Sequence, residues 1–223
     1  MVVAISILLS VIAIFVTLMV SKEARGWLKN IIPIFSLIKH GKFLKEMEEL
    51  GIKKVYKTRR KAETDNPIFS LHTSAPPQNI KIMGMSLGRI KNLGDEQLKN
   101  LLNQGCNFEF LLLNPHSPFM KQRAYQENPD LKRETTGFIF WIKKTFSSSE
   151  YKSQIKVWTY DLMPAMAIAI INDSLLFVNP YSLLRRNQEF PVIEIKKGGS
   201  LFKLYSDEYD KVRGHEHTKP IFP

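Results

Sequence analysis

Cysteine is nearly absent from this chain: Cys106 is the only one in 223 residues. A lone thiol closes no internal disulfide, which agrees with a reducing compartment, and there is no C-x-x-C pair to hold a metal. Histidine is scarce as well, five in all. No H-E-x-x-H motif occurs, and the one close pair, His215 and His217, has no cysteine or carboxylate pattern beside it to complete a site. Neither a metal nor a cofactor is expected. Cys106 stands between Gly105 and a strongly apolar run, the setting of a buried structural thiol rather than a nucleophile. There is no internal repeat.

Charge is missing from the first twenty residues, MVVAISILLSVIAIFVTLMV, which are apolar except for Ser6, Ser10 and Thr17. A bilayer's hydrocarbon core is about 30 Å thick, and a helix needs roughly 20 apolar residues to cross it. Residues 1–20 are therefore expected to form a transmembrane helix. A cleaved signal peptide would place a basic residue before the apolar run and small residues at its end. Here the first lysine is Lys22 and Val20-Ser21-Lys22 is a poor cleavage site, so the span is read as a retained anchor. Lys22, Arg25, Lys29, Lys39, Lys42 and Lys45 all follow it. Positive charge stays on the cytoplasmic side, which makes this a single-pass inner-membrane chain with residues 21–223 in the cytoplasm.

The net charge of +11 is unevenly spread. Residues 22–62 hold twelve Lys/Arg against four Glu, a net +8, whereas residues 63–223 carry only +3. A basic segment beside a membrane span is explained by attraction to anionic lipid, about 1 kcal/mol per cation. The bilayer is thus the expected partner of this segment, and no direct DNA binding is expected. The organisation follows: a span over 1–20, a basic amphipathic juxtamembrane segment over 21–61, and a cytosolic domain over 62–223. Within the segment, Trp27, Leu28, Ile31, Ile32, Phe35 and Ile38 give an apolar face broken at Pro33. Lys42 to Leu50 forms a second helix with Gly51 as its cap, and Lys53 to Lys57 is a candidate strand. Ala62 to Gln78 reads as a linker, with Ile68-Phe69-Ser70-Leu71 a possible packed helix within it.

The domain alternates apolar runs with helical patterns, an α/β arrangement. Strands are expected at Ile80–Met83, ending in Gly84, at Phe108–Leu113, stopped by Asn114-Pro115, and at Ile155–Tyr160. A helix runs from Asp95, as its N-cap, to Gln104, with Gly105 as C-cap. Further helices lie around Pro118–Asn128 and Leu131–Thr145. Ala165–Ile171 and Leu175–Val178 form a hairpin across Asn172-Asp173-Ser174. Val192–Ile195 and Leu201–Leu204 are late strands. Phe138, Phe140 and Trp141 are expected in the core.

Gly84-Met85-Ser86-Leu87-Gly88 fits the G-x-S-x-G nucleophile elbow, and the order Ser86, Asp173, His215 is that of an α/β-hydrolase. The domain is small for that fold, however, and no His-Gly-Gly run supplies a second oxyanion donor. The alternative is a Gly-rich turn whose N–H groups cradle an anion. A membrane-tethered hydrolase or phosphodiesterase using Ser86 is one reading. A nucleotide-sensing Rossmann-like domain of the CRISPR-associated kind is another that the strand–Gly–Ser opening permits.

A broader resemblance spans residues 50–218. Leu50-Gly51-Ile52-Lys53-Lys54-Val55-Tyr56 with Arg59, Ile80 to Ser86, Phe110 to Pro115, Met166 to Asp173 and Phe177 to Tyr181 follow one another as in bacterial phospholipase D-like domains of regulatory and defence proteins. The resemblance implies a mixed-sheet α/β domain. It also places Met166 to Asp173 where that superfamily has H-x-K-x-x-x-x-D, so that Met166 stands for the nucleophilic His and Ile168 for the phosphate-binding Lys. Neither side chain can attack phosphorus or carry charge. The implied protein is a degenerate member with no catalytic residues. It would work as a sensor and effector in antiviral defence, as a homodimer because the family needs two motif copies, with a cyclic or oligonucleotide messenger as its ligand. Ligands of open α/β sheets bind at the C-terminal ends of the strands. The candidate binding residues are Gly84, Ser86, Asn114, Ser117, Arg123, Asp173, Asn179 and Tyr181. A solvated helix face is the plain alternative for Arg123 and Arg133, and a turn position for Asp173.

Overall fold

The computed structural model describes residues 41–65, 77–92, 94–126, 128–147, 150–181 and 189–223, leaving aside the side chains of Arg89 and Asn92. The apolar run 1–20, the amphipathic stretch 27–38 and Ile68–Leu71 lie outside the described residues. Among the described residues no helix is long and apolar enough to cross a membrane. The chain divides into two compact units, Met1–Met47 and Glu48–Pro223. Of the first, residues 41–47 are helical, with Phe43 and Leu44 exposed.

The second unit is built on one eight-stranded mixed sheet of order β1-β7-β6-β5-β2-β3-β4-β8. Its strands are β1 (Ile52–Tyr56), β2 (Asn79–Gly84), β3 (Asn107–Leu113), β4 (Ile155–Tyr160), β5 (Met166–Ile171), β6 (Leu175–Pro180), β7 (Val192–Lys196) and β8 (Thr218–Phe222). Only β2, β3 and β4 run parallel, joined by helical crossovers, and all other pairs are antiparallel. The β2–β3 crossover contains α2 (Gly88–Asn92) and α3 (Asp95–Asn103), and the β3–β4 crossover contains α4 (Pro118–Gln126) and α5 (Leu131–Phe146). The helix α1 (Arg59–Asp65) follows β1, and α6 (Ser200–Arg213) separates β7 from β8. The sheet thus takes in Ile52–Tyr56, part of the basic stretch.

Alternation along the strands sorts the core onto two faces. Ile80, Phe108, Phe110, Leu112, Ile155 and Val157 pack under α3 and α5, through Leu98, Leu102, Phe138 and Ile142. Met83, Leu111, Leu113, Tyr160, Ile168, Ile170 and Val178 line the other face, covered by Met120 of α4 and by Phe202 and Tyr209 of α6. A smaller cluster joins Tyr56 and Ala62 to Ile171, Phe177 and Val192.

Four local expectations need correction. Leu201–Leu204 is not a strand but the start of α6: Phe202 and Tyr209, seven residues apart, are its buried residues, a helical spacing that a four-residue window cannot display. The N-cap of α3 is Gly94, at φ 90°, and Asp95 instead accepts a hydrogen bond from the Trp141 indole N–H at 2.6 Å. Residues 62–65, the start of the linker expected over 62–78, belong to α1. Phe140 is 66% exposed, while Phe138 and Trp141 are buried as expected. Cys106 is fully buried, and burial pushes its thiol up from 9.0 to about 12.

Candidate functional site

Three parallel strands end side by side, and each is followed by polar residues. After β2 come Met85 and Ser86, after β3 Asn114 to Ser117, and after β4 Asp161. The strand β6, one place beyond β5, delivers Tyr181 to the same edge, because β5 is antiparallel to both β2 and β6 and these two therefore run the same way. Tyr181 ties the strands together: its phenolic oxygen accepts the Met85 N–H at 3.1 Å, and its N–H bonds the Ala165 carbonyl. The Tyr160 hydroxyl donates to the Gly84 carbonyl at 3.4 Å. Burial pushes the Tyr160 phenol well up, Tyr181 adds to the rise, and Arg123 opposes it.

Arg123, one of the candidate residues, is buried rather than turned to solvent. It lies on α4 at 1% exposure, its guanidinium 5.0 Å from the centre of the Tyr181 ring and 3.4 Å from Gln126 Oε1. This is a buried, stacked cation and not a solvated helix face. Arg133, by contrast, is exposed and pairs with Asp130. Asn114 and Ser117 shape the turn that starts α4. Asn114 Oδ1 accepts the His116 N–H at 3.0 Å, and Ser117 Oγ accepts the Phe119 N–H at 3.2 Å.

Ser86 sits on a strand–turn–helix corner, as an elbow would. Its hydroxyl donates to Glu134 Oε2 at 2.9 Å, and Asn128 donates to the other oxygen, Oε1, at 2.8 Å. Thr135, fully buried, donates to the Met85 carbonyl at 3.1 Å. The carboxylate beside Ser86 opposes an anion there by like charge. The expected cradle at Gly84–Gly88 is therefore partly spent on the fold itself.

Asp173 belongs elsewhere. It occupies the β5–β6 turn at φ 48°, exposed, in an ion pair with Lys81 at 2.9 Å. Since Ile171 pairs with Ile80 and Ile168 with Met83, this turn lies at the end of the sheet away from Gly84. His215 lies at the same end of the sheet as Ser86 but three strands across from β2. It precedes Thr218, the partner of Tyr160, and its Nδ1 accepts the His217 N–H. The hydrolase order Ser86, Asp173, His215 is thus not assembled as a triad. Asn179 pairs in register with Ala167, so it faces away from Met166 and Ile168. It is buried and donates to the Pro191 carbonyl at 3.0 Å.

The structure therefore gathers Gly84, Ser86, Asn114, Ser117, Arg123 and Tyr181 at one sheet edge, leaves Asn179 on the far face and sends Asp173 to the opposite end. Sequence reasoning missed Tyr160, Asp161, Asn128 and Glu134. Tyr160 and Asp161 had a usable signal, since they end a parallel strand just as Leu113-Asn114 does. Asp161 Oδ1 is buried and takes no hydrogen bond from the described residues.

Among curated proteins nothing matches this chain. Solved structures do. TrmBL2, an archaeal chromatin protein, is 15% identical at a TM-score of 0.45 over 84% of this chain, which spans 64% of that protein's length. Nuc of Salmonella typhimurium, a phospholipase D family member, is 8% identical at 0.45 over 70% of this chain and 90% of its own. NucT of Helicobacter pylori is 13% identical at 0.45, covering 75% of this chain and 98% of that one. At such identities and scores these likenesses carry over no activity. Residues 50–218 match a domain of unknown function, DUF5919, and the chain belongs to that family.

Proposed function

We propose that this chain is a membrane-anchored, catalytically degenerate phospholipase D-like module. It binds a small anionic ligand of the nucleotide class at the edge formed by β2, β3 and β4, and passes that binding to the bilayer as a homodimer. The defence setting is what the sequence resemblance implies.

One observation carries the non-catalytic part. Met166 and Ile168, at the positions of the motif's His and Lys, lie on β5 against the apolar cluster of Met83, Leu113 and Val178, with Ile168 1% exposed. Two residues that should meet a phosphate are instead packing residues. The motif's Asp position, Asp173, is engaged with Lys81 at the far end of the strand. Binding falls to Arg123, the one cation buried at the edge among the described residues, with Asn114 and Ser117 at the start of its helix. An anionic group is favoured beside a guanidinium, which here lies in the last turn of α4, and separately at the helix start that Asn114 and Ser117 shape.

Calorimetry on the full chain in lipid nanodiscs tests this, with mononucleotides, dinucleotides and cyclic nucleotides as titrants. Saturable binding is expected, weakened about tenfold or more by Arg123→Lys, because a stacked guanidinium is not replaced by an ammonium. Asp173→Asn should bind as the parent does. No heat with any nucleotide, or equal affinity in parent and Arg123→Lys, contradicts the proposal.

A further inference from the structure

The outward face of α5 gathers cations around one exposed aromatic. At about 100° per residue, Lys132, Arg133, Phe140, Lys143 and Lys144 fall within one arc of roughly 120°, with Phe140 near its middle. All five are exposed. Two more lysines extend the arc. The Lys91 ammonium lies 3.5 Å from where a Cβ on Gly137 would stand. Lys152 shares with Lys143 the rim of an open depression of about 450 Å³ that Ile221 and Phe222 also line.

Among the described residues none of these five lysines has an ion-pair partner; Arg133 has one, Asp130 at 3.0 Å. The single acid of α5, Glu134, is turned to Ser86 and Asn128. Helix electrostatics accounts for Lys143 and Lys144 in the last turn but not for Lys132 and Arg133 in the first, where a cation is disfavoured. It accounts for neither Lys91 nor Lys152.

We propose that this face of α5 lies on an anionic bilayer, with its lysines at headgroup level and the Phe140 ring in the interfacial layer. Three features favour lipid over nucleic acid. The surface is one convex helix face, suited to a plane, rather than a groove that tracks a strand. Its cations are lysines but for one, whereas guanidinium forks dominate phosphate readout. Its aromatic is single and central, where insertion is deepest, rather than one of a stacking series. The contact uses residues outside 1–61, so it stands apart from the anchored reading and would lay the folded unit itself on the leaflet.

The test uses the full chain in vesicles of phosphatidylcholine and in vesicles enriched in phosphatidylglycerol, both carrying a nitroxide-headgroup quencher. An environment-sensitive fluorophore is placed through Phe140→Cys, with Cys106 shielded by its burial. In the anionic vesicles the emission should shift to the blue and fall about twofold. Both changes should vanish in neutral vesicles, in high salt, and in the variant combining Lys132→Gln, Lys143→Gln and Lys144→Gln. The same label at Leu204→Cys, an exposed site on α6, should not respond. Equal signals in both vesicle types overturn the proposal. So does a shift produced by a single-stranded oligonucleotide and not by anionic vesicles. A chain that leaves neutral vesicles altogether speaks against the anchor at residues 1–20, and the anionic result still decides the α5 contact.

Discussion

Gly199 shows how much one hydrogen atom can matter. A Cβ there would stand 2.3 Å from both the Cα and the N of Gly51 and 2.4 Å from the Leu50 carbonyl oxygen. Those atoms are backbone, so nothing can rotate away. Gly51 in turn needs glycine for its φ of 78° and would bring its own Cβ within 2.8 Å of Gly199 Cα. Here the chain enters the sheet, with the Lys196 N–H bonded to the Gly51 carbonyl. Gly199→Ala is expected to cost about 3 kcal/mol or more of unfolding free energy, at or above the usual range for overpacking. Gly198, at φ 97° with open space around it, should lose only about 1 kcal/mol as Gly198→Ala. Urea melts of the two variants check the contrast, and equal losses would contradict it. Such close approaches are invisible in the sequence, where Lys197-Gly198-Gly199 reads simply as a turn. Arg123 is a second case. No window of α4 distinguishes a buried arginine from an exposed one, because the Tyr181 ring that covers it lies 58 positions away.

At the level of elements, periodicity was informative wherever it ran long enough. Ile155–Tyr160 is legible to the residue, and the β5–β6 hairpin follows from apolar runs flanking Asn172-Asp173. Both turn residues adopt positive φ, 52° and 48°, as a type I′ turn requires. Asp173→Gly should therefore stabilise the fold by about 0.5–1 kcal/mol, since glycine takes this conformation without strain and the exposed Lys81 ion pair contributes little. The midpoint of thermal unfolding reads this, and a fall would show that the Lys81 contact outweighs the backbone. What failed at this scale was α6. Its opening Leu201-Phe202-Lys203-Leu204 supports either period, and only Tyr205, Tyr209 and Val212 beyond it reveal the helix. Phe140 failed for the converse reason. An apolar cluster around Trp141 suggests core throughout, yet a helix turns one residue in such a run toward solvent.

For the molecule as a whole, sheet polarity decides which candidate residues can work together. The parallel order of β2, β3 and β4 puts Ser86, Asn114 and Ser117 at one edge, and the antiparallel β5 carries Asp173 to the other. Most strand positions were readable from the sequence, β8 excepted, but directions across the sheet were not, which is why Asp173 goes to the other end; Asn179 is lost instead because alternation along β6 turns it to the other face. The same geometry gives the non-catalytic reading its content: Ile168 is buried in the core, half-buried Met166 packs against it, and the Ser86 hydroxyl is given to Glu134. Hydrolysis of a phosphodiester by the full chain is the most direct measurement. With bis(p-nitrophenyl) phosphate and with phosphatidylglycerol vesicles, turnover should not exceed that of buffer, and Ser86→Ala should change nothing. Turnover that the parent shows and Ser86→Ala loses would contradict the account and make Ser86 a nucleophile.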